Sequence, residues 1–204
     1  MREEITAYKR ERILEEAVKL FYERGFSGTT LDDIAGKLGV TKPFIYTHFR
    51  SKVELLEAIC RPTIEMSLEA IIQAAQQPGS PSDRLFAGIV DFSKVVLRRQ
   101  ANIAVYFREE KHLSAAGLAE INMLRKRFDR VLSELLEEGA RTGEFHIVDI
   151  RLAALAIGGM VSWAYTWYQP AGRLPIEEVV AKLAHYALQL VGARPMRQPP
   201  QAIG

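Results

Sequence analysis

The chain has 204 residues, of which 48% are hydrophobic and 25% charged, and a net charge of +2. This suits an ordinary globular protein of one large domain or two small ones sharing a core, and a charge so near zero neither requires nor forbids a nucleic-acid partner. A lone cysteine, Cys60, excludes a disulfide framework or thiolate cluster within the chain and fits a reducing cytoplasm.

The start, Met1-Arg2-Glu3-Glu4, runs directly into charged helix-forming sequence, so export is not expected. Ile13, Ala17, Leu20 and Phe21 share one helical face, and Gly25 suits the end of that helix. Two short helices follow, at about Leu31–Leu38 and about Lys42–Phe49, with Gly39 between them. A longer helix opens after Ser51 and reaches about Ala75, with Pro62 inside it as a candidate kink. Gln76-Gln77-Pro78-Gly79-Ser80-Pro81 is the clearest break in the chain. Beyond it, helices are expected at about Ser82–Arg99, Asn102–Lys111 and Ala116–Thr142, then from an Asp149 cap to about Tyr168, and last at about Ile176–Val191. Leu152 to Gly172 carries no charge, but Ser162, Tyr165, Thr166, Tyr168, Gln169 and Pro170 interrupt it. A membrane span needs about 20 predominantly apolar residues, so the stretch reads as a helix buried in protein and no membrane partner is expected. Strand patterns are nearly absent. The expected fold is all-α, a small three-helix head followed by a larger helical bundle.

The informative window is Thr29 to Leu56. Thr30-Leu31-Asp32-Asp33 has the form of a capping box, Ile34, Ala35 and Leu38 give its helix a buried face, and Gly39 makes the turn. Thr41 suits the next N-cap and Pro43 the first turn, where amide hydrogens are unpaired in any case. Ile45 and Phe49 point inward together, and Ser51-Lys52-Val53-Glu54 is a second candidate box. Two short helices around a glycine turn describe a helix-turn-helix, whose second helix is short enough to lie in a major groove. Its outward residues are Lys42, Phe44, Thr47 and His48, with Tyr46 alongside. Hydroxyls and cations there suit phosphates or base edges, and aromatic or methyl groups suit thymine methyls. A cation at Lys52 opposes its own helix dipole, which a DNA phosphate at that helix end would reverse.

The run Thr30-x-Asp32-Asp33-Ile34-Ala35-x-x-Leu38-Gly39-Val40-Thr41-Lys42-Pro43-Phe44-Ile45-Tyr46-x-His48-Phe49-x-Ser51-Lys52-x-x-Leu55-Leu56 resembles the DNA-binding signature of the TetR/AcrR family of transcriptional regulators. The resemblance implies a repressor that grips a palindromic operator as a homodimer and is released by a small-molecule inducer. By the same resemblance, Thr30, Thr41, Tyr46, His48 and Lys52 would contact phosphates, and Lys42, Pro43 and Phe44 would face bases or sugars. The implied organisation is a DNA-binding head over residues 1–56, a ligand-binding and dimerisation domain over 57–192, and a flexible tail over 193–204.

For the inducer site, Trp163, Tyr165, Trp167 and Tyr168 fall in one expected helix, where Trp163 and Trp167 would share a face, and Tyr106-Phe107-Arg108 adds aromatic surface. Together with Phe128 they suggest a mostly apolar pocket with a polar edge, although ordinary core packing explains any single ring equally well. The run Trp163-x-x-x-Trp167-Tyr168-x-Pro170-x-Gly172 resembles the branch of the family that responds to acyl-coenzyme A in fatty-acid or steroid breakdown. Such a ligand needs cations for its phosphates. Arg98, Arg99, Arg108, Arg125, Lys126, Arg127 and Arg130 are candidates, alongside the plainer reading of a solvated basic face.

The dimer is expected through the last two helices. One is apolar nearly all round, and the other carries Val179, Val180, Leu183, Ala184, Ala187, Leu188 and Val191 as a broad stripe. Gly158-Gly159 suits close helix approach. His48, His112, His146 and His185 are scattered without ligand spacing, so no metal, cofactor or catalytic constellation is expected. Two other readings stay open: a DNA-binding regulator without a small inducer, and a helical enzyme whose head only resembles a helix-turn-helix.

Overall fold

A computed structural model describes residues 2–193, with side chains from residue 4. The expected tail lies outside the described residues from 194 onward. Among the described residues the chain forms nine α-helices and no strand: α1 (Arg2–Arg24), α2 (Leu31–Leu38), α3 (Lys42–Tyr46), α4 (Lys52–Gln76), α5 (Pro81–Arg98), α6 (Gln100–Glu109), α7 (Ala115–Arg141), α8 (Ile150–Ser162) and α9 (Ile176–Leu190). No helix among them is long and apolar enough to cross a membrane.

Local chemistry sets most boundaries. Thr30 accepts from the Asp33 amide at 3.1 Å while the Asp33 carboxylate accepts from the Thr30 amide at 2.8 Å, so the capping box at α2 is complete. Its hydrogen bond with Thr30 is the main cause holding the Asp33 carboxyl below the usual aspartate range. Gly39 takes φ 67°, and its N–H returns to the last carbonyls of α2. Ser80 and Asp83 form a second complete box at α5. The box expected at Ser51 is half formed: Ser51 caps the Glu54 amide at 3.0 Å, but Glu54 accepts from the Arg50 amide at 2.6 Å, one residue before the cap. Thr41 makes no side-chain cap bond at all.

The helix after Asp149 stops at Ser162, not Tyr168, and a 3₁₀ turn (Trp163–Thr166) follows. Thr166 Oγ1 donates to the Trp163 carbonyl at 2.8 Å, and the Gln100 amide donates to the carbonyls of Tyr165 at 3.3 Å and Tyr168 at 2.8 Å. These bonds satisfy carbonyls that a continuing α-helix would have used. At about three residues per 3₁₀ turn, Trp163 and Trp167 point about 120° apart and share no face.

Two apolar cores result. The first joins α1–α3 to Leu55, Leu56, Ile59 and Cys60 of α4, and it also takes Val105 and Tyr106 from α6 and Ile121 from α7. The second joins the C-terminal half of α4, from Leu68 on, to α5 and α7–α9. Pro62 lies in α4 between the two sets, where it cannot donate the usual amide hydrogen to the preceding turn. The Cys60 thiol is buried in the first core. Burial, with lesser contributions from Glu57 and Glu110, pushes its pKa up to about 12, which makes it an inert packing group.

The stripe expected to make the dimer on α9 is buried within its own subunit. Val179, Val180, Leu183, Ala184, Ala187, Leu188 and Val191 all belong to the second core. On α8, Leu152 is 64% and Leu155 51% exposed, and Ala156 and Gly159, then Trp163 at the start of the 3₁₀ turn, are exposed beyond them. Tyr186 and Leu190 of α9 are also exposed.

Candidate DNA interface and ligand cavity

The helix-turn-helix presents Thr41, Lys42, Pro43, Tyr46 and Thr47 to solvent, with Phe44 and His48 half-buried beside them. Ile45 and Phe49 anchor the opposite face in the core. Thr41 keeps its hydroxyl free of any cap bond, as a phosphate contact requires. Lys42 pairs with Asp32 at 2.7 Å, which raises its pKa above the ordinary lysine value. Both partners are largely exposed, so a phosphate can replace the carboxylate. Thr30 is less free, because its hydroxyl donates to Asp33 at 2.6 Å. Thr47 likewise donates to the Phe44 carbonyl at 2.7 Å, which tightens the end of α3. Burial, followed by the charges of Lys9 and Arg10, lowers the His48 pKa below the usual histidine value. The uncharged ring is therefore favoured at neutral pH, with one nitrogen to donate and one to accept.

Lys52 has an internal role. Its ammonium donates to the carbonyls of Phe26 and Thr29, each at 2.8 Å, and lies 4.2 Å from the centre of the Phe26 ring. Two charge-assisted bonds of about 1.5–3 kcal/mol each outweigh a dipole penalty of about 0.3–1 kcal/mol. The side chain fastens the turn between α1 and α2 to the start of α4, with one N–H left over. A second fastening was invisible in the local motif. Arg10 of α1 donates to the His48 carbonyl at 2.5 Å, and its guanidinium lies 3.9 Å from the centre of the Phe49 ring. These partners are 38 positions apart, and no spacing rule connects them.

The C-terminal half holds a cavity of about 320 Å³ between α4, α5, α6, α7 and α8. Its floor is buried: Ser67, Phe92, Val96, Ile103, Tyr106 and Phe128. Its rim is exposed: Phe107, Arg125, Asp129, Leu155, Gly159 and Trp163. Arg125 Nη1 donates to the Tyr106 hydroxyl at 3.1 Å. Burial raises the Asp129 pKa, while Arg125 and Arg151 pull it down. Phe107 stacks on Tyr165 with ring centres 5.6 Å apart and planes 7° apart, and Trp163 meets Tyr165 edge-on at 6.0 Å.

Of the expected ligand residues, Tyr106, Phe107, Phe128 and Trp163 line this cavity. Four do not. Arg108 donates to the Tyr22 carbonyl at 2.9 Å and so ties α6 to α1. Arg127 lies in a separate groove with Arg84, Arg130 and Glu138. The 3₁₀ turn leaves Trp167 51% exposed and Tyr168 half-buried against the second core. In the sequence Arg125 is one of seven candidate cations, and no motif there marks Asp129. Their i, i+4 spacing on α7 was the available signal. Within the subunit no neighbouring helix approaches Gly158 or Gly159: a methyl at Gly159 would meet nothing within 4 Å, and one at Gly158 only Phe128 at 3.9 Å. They leave the cavity wall bare.

Residues 78–191 match the domain family described as Tetracyclin repressor-like, C-terminal domain, and residues 13–59 match Bacterial regulatory proteins, tetR family. The chain belongs to the TetR family. That family consists of transcriptional regulators, not enzymes. Among its relatives, the HTH-type transcriptional repressor KstR2 of Mycolicibacterium smegmatis is 27% identical over 175 residues, covering 85% of each chain. A crystal structure of a tetR-family regulatory protein from Rhodococcus RHA1 superposes with a TM-score of 0.84 at 28% identity, covering 91% of this chain and 97% of that one. AibR, solved in complex with isovaleryl coenzyme A and operator DNA, superposes with a TM-score of 0.76 at 27% identity, covering 91% of this chain and 99% of its own. TetR-family membership accounts for both halves of the molecule, since the two matched segments carry the helix-turn-helix and most of the cavity wall.

Proposed function

We propose that this chain is a cytoplasmic, dimeric repressor whose grip on a palindromic operator is released by an acyl thioester, such as an acyl-coenzyme A, bound in the α4–α8 cavity. The observation that carries this reading is the double position of Tyr106, which forms part of the cavity floor and also packs in the core of the DNA-binding head. Two residues further on, Arg108 holds the end of α1. A ligand that displaces Tyr106 therefore moves the head through α6 as well as along α4. To act as an inducer it must bind the DNA-incompetent arrangement better, typically with a coupling of about 1–3 kcal/mol, or 5- to 150-fold in operator affinity. The DNA contacts are Thr41, Lys42, Pro43, Phe44, Tyr46, Thr47 and His48, with Thr30 and Lys52 holding the frame and the spare N–H of Lys52 available to a phosphate. KstR2 is named a repressor, and AibR binds both an acyl-coenzyme A and operator DNA. Both lend weight to this choice over a regulator without an inducer.

The test is a mobility-shift titration on the promoter nearest the gene, with and without medium-chain acyl-coenzyme A. A sequence-specific shift that the thioester reverses is the expected result. A specific shift that no thioester relieves would leave a DNA-binding regulator without this inducer, and turnover of the thioester would point to an enzyme.

The exposed stripe on α8, with Tyr186 and Leu190 of α9, is the surface we assign to the dimer. A two-fold pair through it would set the half-sites about 34–36 Å apart, or a multiple of that. The double substitution Leu152→Glu and Leu155→Glu places two charges on that stripe. Light scattering should then report a monomer, and operator affinity should fall by about 100-fold or more, because one head loses the help of the other. A variant that stays dimeric would move the interface elsewhere.

A further inference from the structure

The cavity is chemically lopsided. Its buried floor is apolar apart from hydroxyls already engaged: Ser67 donates to the Thr63 carbonyl, and Tyr106 accepts from Arg125. Its rim carries two opposite charges, Arg125 and Asp129, one turn apart on α7. Arg125 turns to the Tyr106 hydroxyl and spends one of its N–H groups there. The remaining guanidinium hydrogens are donors, and the Asp129 carboxylate offers only acceptors. Whatever crosses the mouth with its apolar end on the floor thus meets a donor and an acceptor side by side.

A thioester followed by an amide matches that pair, since its carbonyl oxygen accepts and its amide N–H donates. A free carboxylate does not. It gains the attraction of Arg125 but meets the like charge of Asp129 beside it at the mouth, which disfavours it. Size narrows the choice further. About 320 Å³ lies at the bottom of the range of about 300–1,000 Å³ usual for small-molecule sites. A volume at that end of the range favours a short or medium acyl group over a long chain or fused rings.

We infer that Arg125 and Asp129 are specificity residues that admit a short- or medium-chain acyl group only when it is carried as a thioester on an amide-bearing arm, and turn the free acid away. This rests on the acyl-thioester reading above. The pair makes two opposite predictions for one ligand series, because Asp129 hinders the acid while Arg125 holds the ester.

The experiment is isothermal titration of the full chain with octanoyl-pantetheine, octanoate, octanoyl-coenzyme A and palmitoyl-coenzyme A. Octanoyl-pantetheine lacks the nucleotide phosphates and so isolates the mouth. Wild type should bind octanoyl-pantetheine at least about 10-fold more tightly than octanoate, a factor that corresponds to about 1.4 kcal/mol. Asp129→Asn, checked for an unchanged melting temperature, should tighten octanoate by about 10-fold and so close most of that gap. Arg125→Gln should weaken octanoyl-pantetheine by about the same factor. Palmitoyl-coenzyme A should bind more weakly than octanoyl-coenzyme A. If neither coenzyme A ester binds, the acyl-thioester reading itself falls. If the esters bind but octanoate competes equally, or Asp129→Asn leaves the ratio unchanged, the assignment of the rim pair is overturned and the broader reading stands. Tighter binding of palmitoyl-coenzyme A would overturn the size limit.

Discussion

Replacing Lys52 with methionine is expected to weaken operator binding by about 30-fold or more, although the side chain keeps its length and most of its apolar stem. The substitution removes both bonds that hold the carbonyls of Phe26 and Thr29, together with the contact over the Phe26 ring. Phe26 O retains the Thr29 amide at 3.3 Å, whereas Thr29 O is left without its cation. Losing part of roughly 3–6 kcal/mol of charge-assisted bonding frees the turn that carries α2, and α3 packs on α2. Two measurements separate this role from simple phosphate contact. Amide hydrogen exchange between Phe26 and Leu31 should accelerate in the free protein, and the salt dependence of binding should change by less than the decrement of about 0.9 in slope that a lost phosphate contact produces. Unchanged exchange with a full loss of slope would return Lys52 to the role of a phosphate ligand alone. An affinity within about 3-fold of wild type would remove it from the interface altogether.

The largest expected loss of stability lies far from the DNA. Gly139 sits near the end of α7, where its carbonyl accepts from the amides of Glu144 at 2.9 Å and Phe145 at 3.0 Å and from the Thr142 hydroxyl at 3.1 Å. A Cβ there would fall 2.1 Å from a carbon of the Phe145 ring, which is fully packed in the second core. The ring cannot swing aside without leaving that core, and the backbone that could move is held by the three bonds to Gly139. Gly139→Ala should therefore cost about 3 kcal/mol, between the usual penalty for overpacking and that for losing a buried phenylalanine. For a chain of this size that is roughly 6–12 °C in melting temperature, readable by calorimetry. A helix interior normally prefers alanine to glycine by about 1 kcal/mol, so a stabilised variant would show that the ring relaxes freely.

Much of the head was readable because its signals are local. The Thr30–Asp33 box, the Gly39 turn, and the inward pair Ile45 and Phe49 each follow from residues within a few positions of one another, and each stands in the structure as expected. What eluded the sequence depends on contacts across long separations. Gln100 intercepts carbonyls more than sixty positions away, and that ends α8 early and splits Trp163 from Trp167. Arg108 follows the aromatic pair Tyr106-Phe107 and looks like a ligand cation, yet its partner is a carbonyl of α1, 86 positions earlier. The α9 stripe shows the limit of amphipathicity as a guide. Periodicity marks a face that must be covered without saying by what, and here α5 and its neighbours cover it from within the same chain. The cavity was legible as aromatic content, but its polar rim was not, since Arg125 and Asp129 look like any solvated pair until the helices around them are placed.

The division of α4 between two cores bears on how this protein can be cut and recombined. A boundary at residue 56 would leave Ile59 and Cys60 on the wrong side of the join and strip the head of Val105, Tyr106 and Ile121, which cover it from α6 and α7. A head excised there would expose the apolar patch those residues hide. A chimera that exchanged only the first 56 residues would inherit a seam unmatched to its new host. A workable graft must carry α4 to Pro62, where the missing amide bond already loosens the helix, and must transplant the facing side chains of α6 and α7 as a set. The helix-turn-helix head and the cavity-bearing domain are therefore not freely interchangeable modules in this chain, because they share a wall.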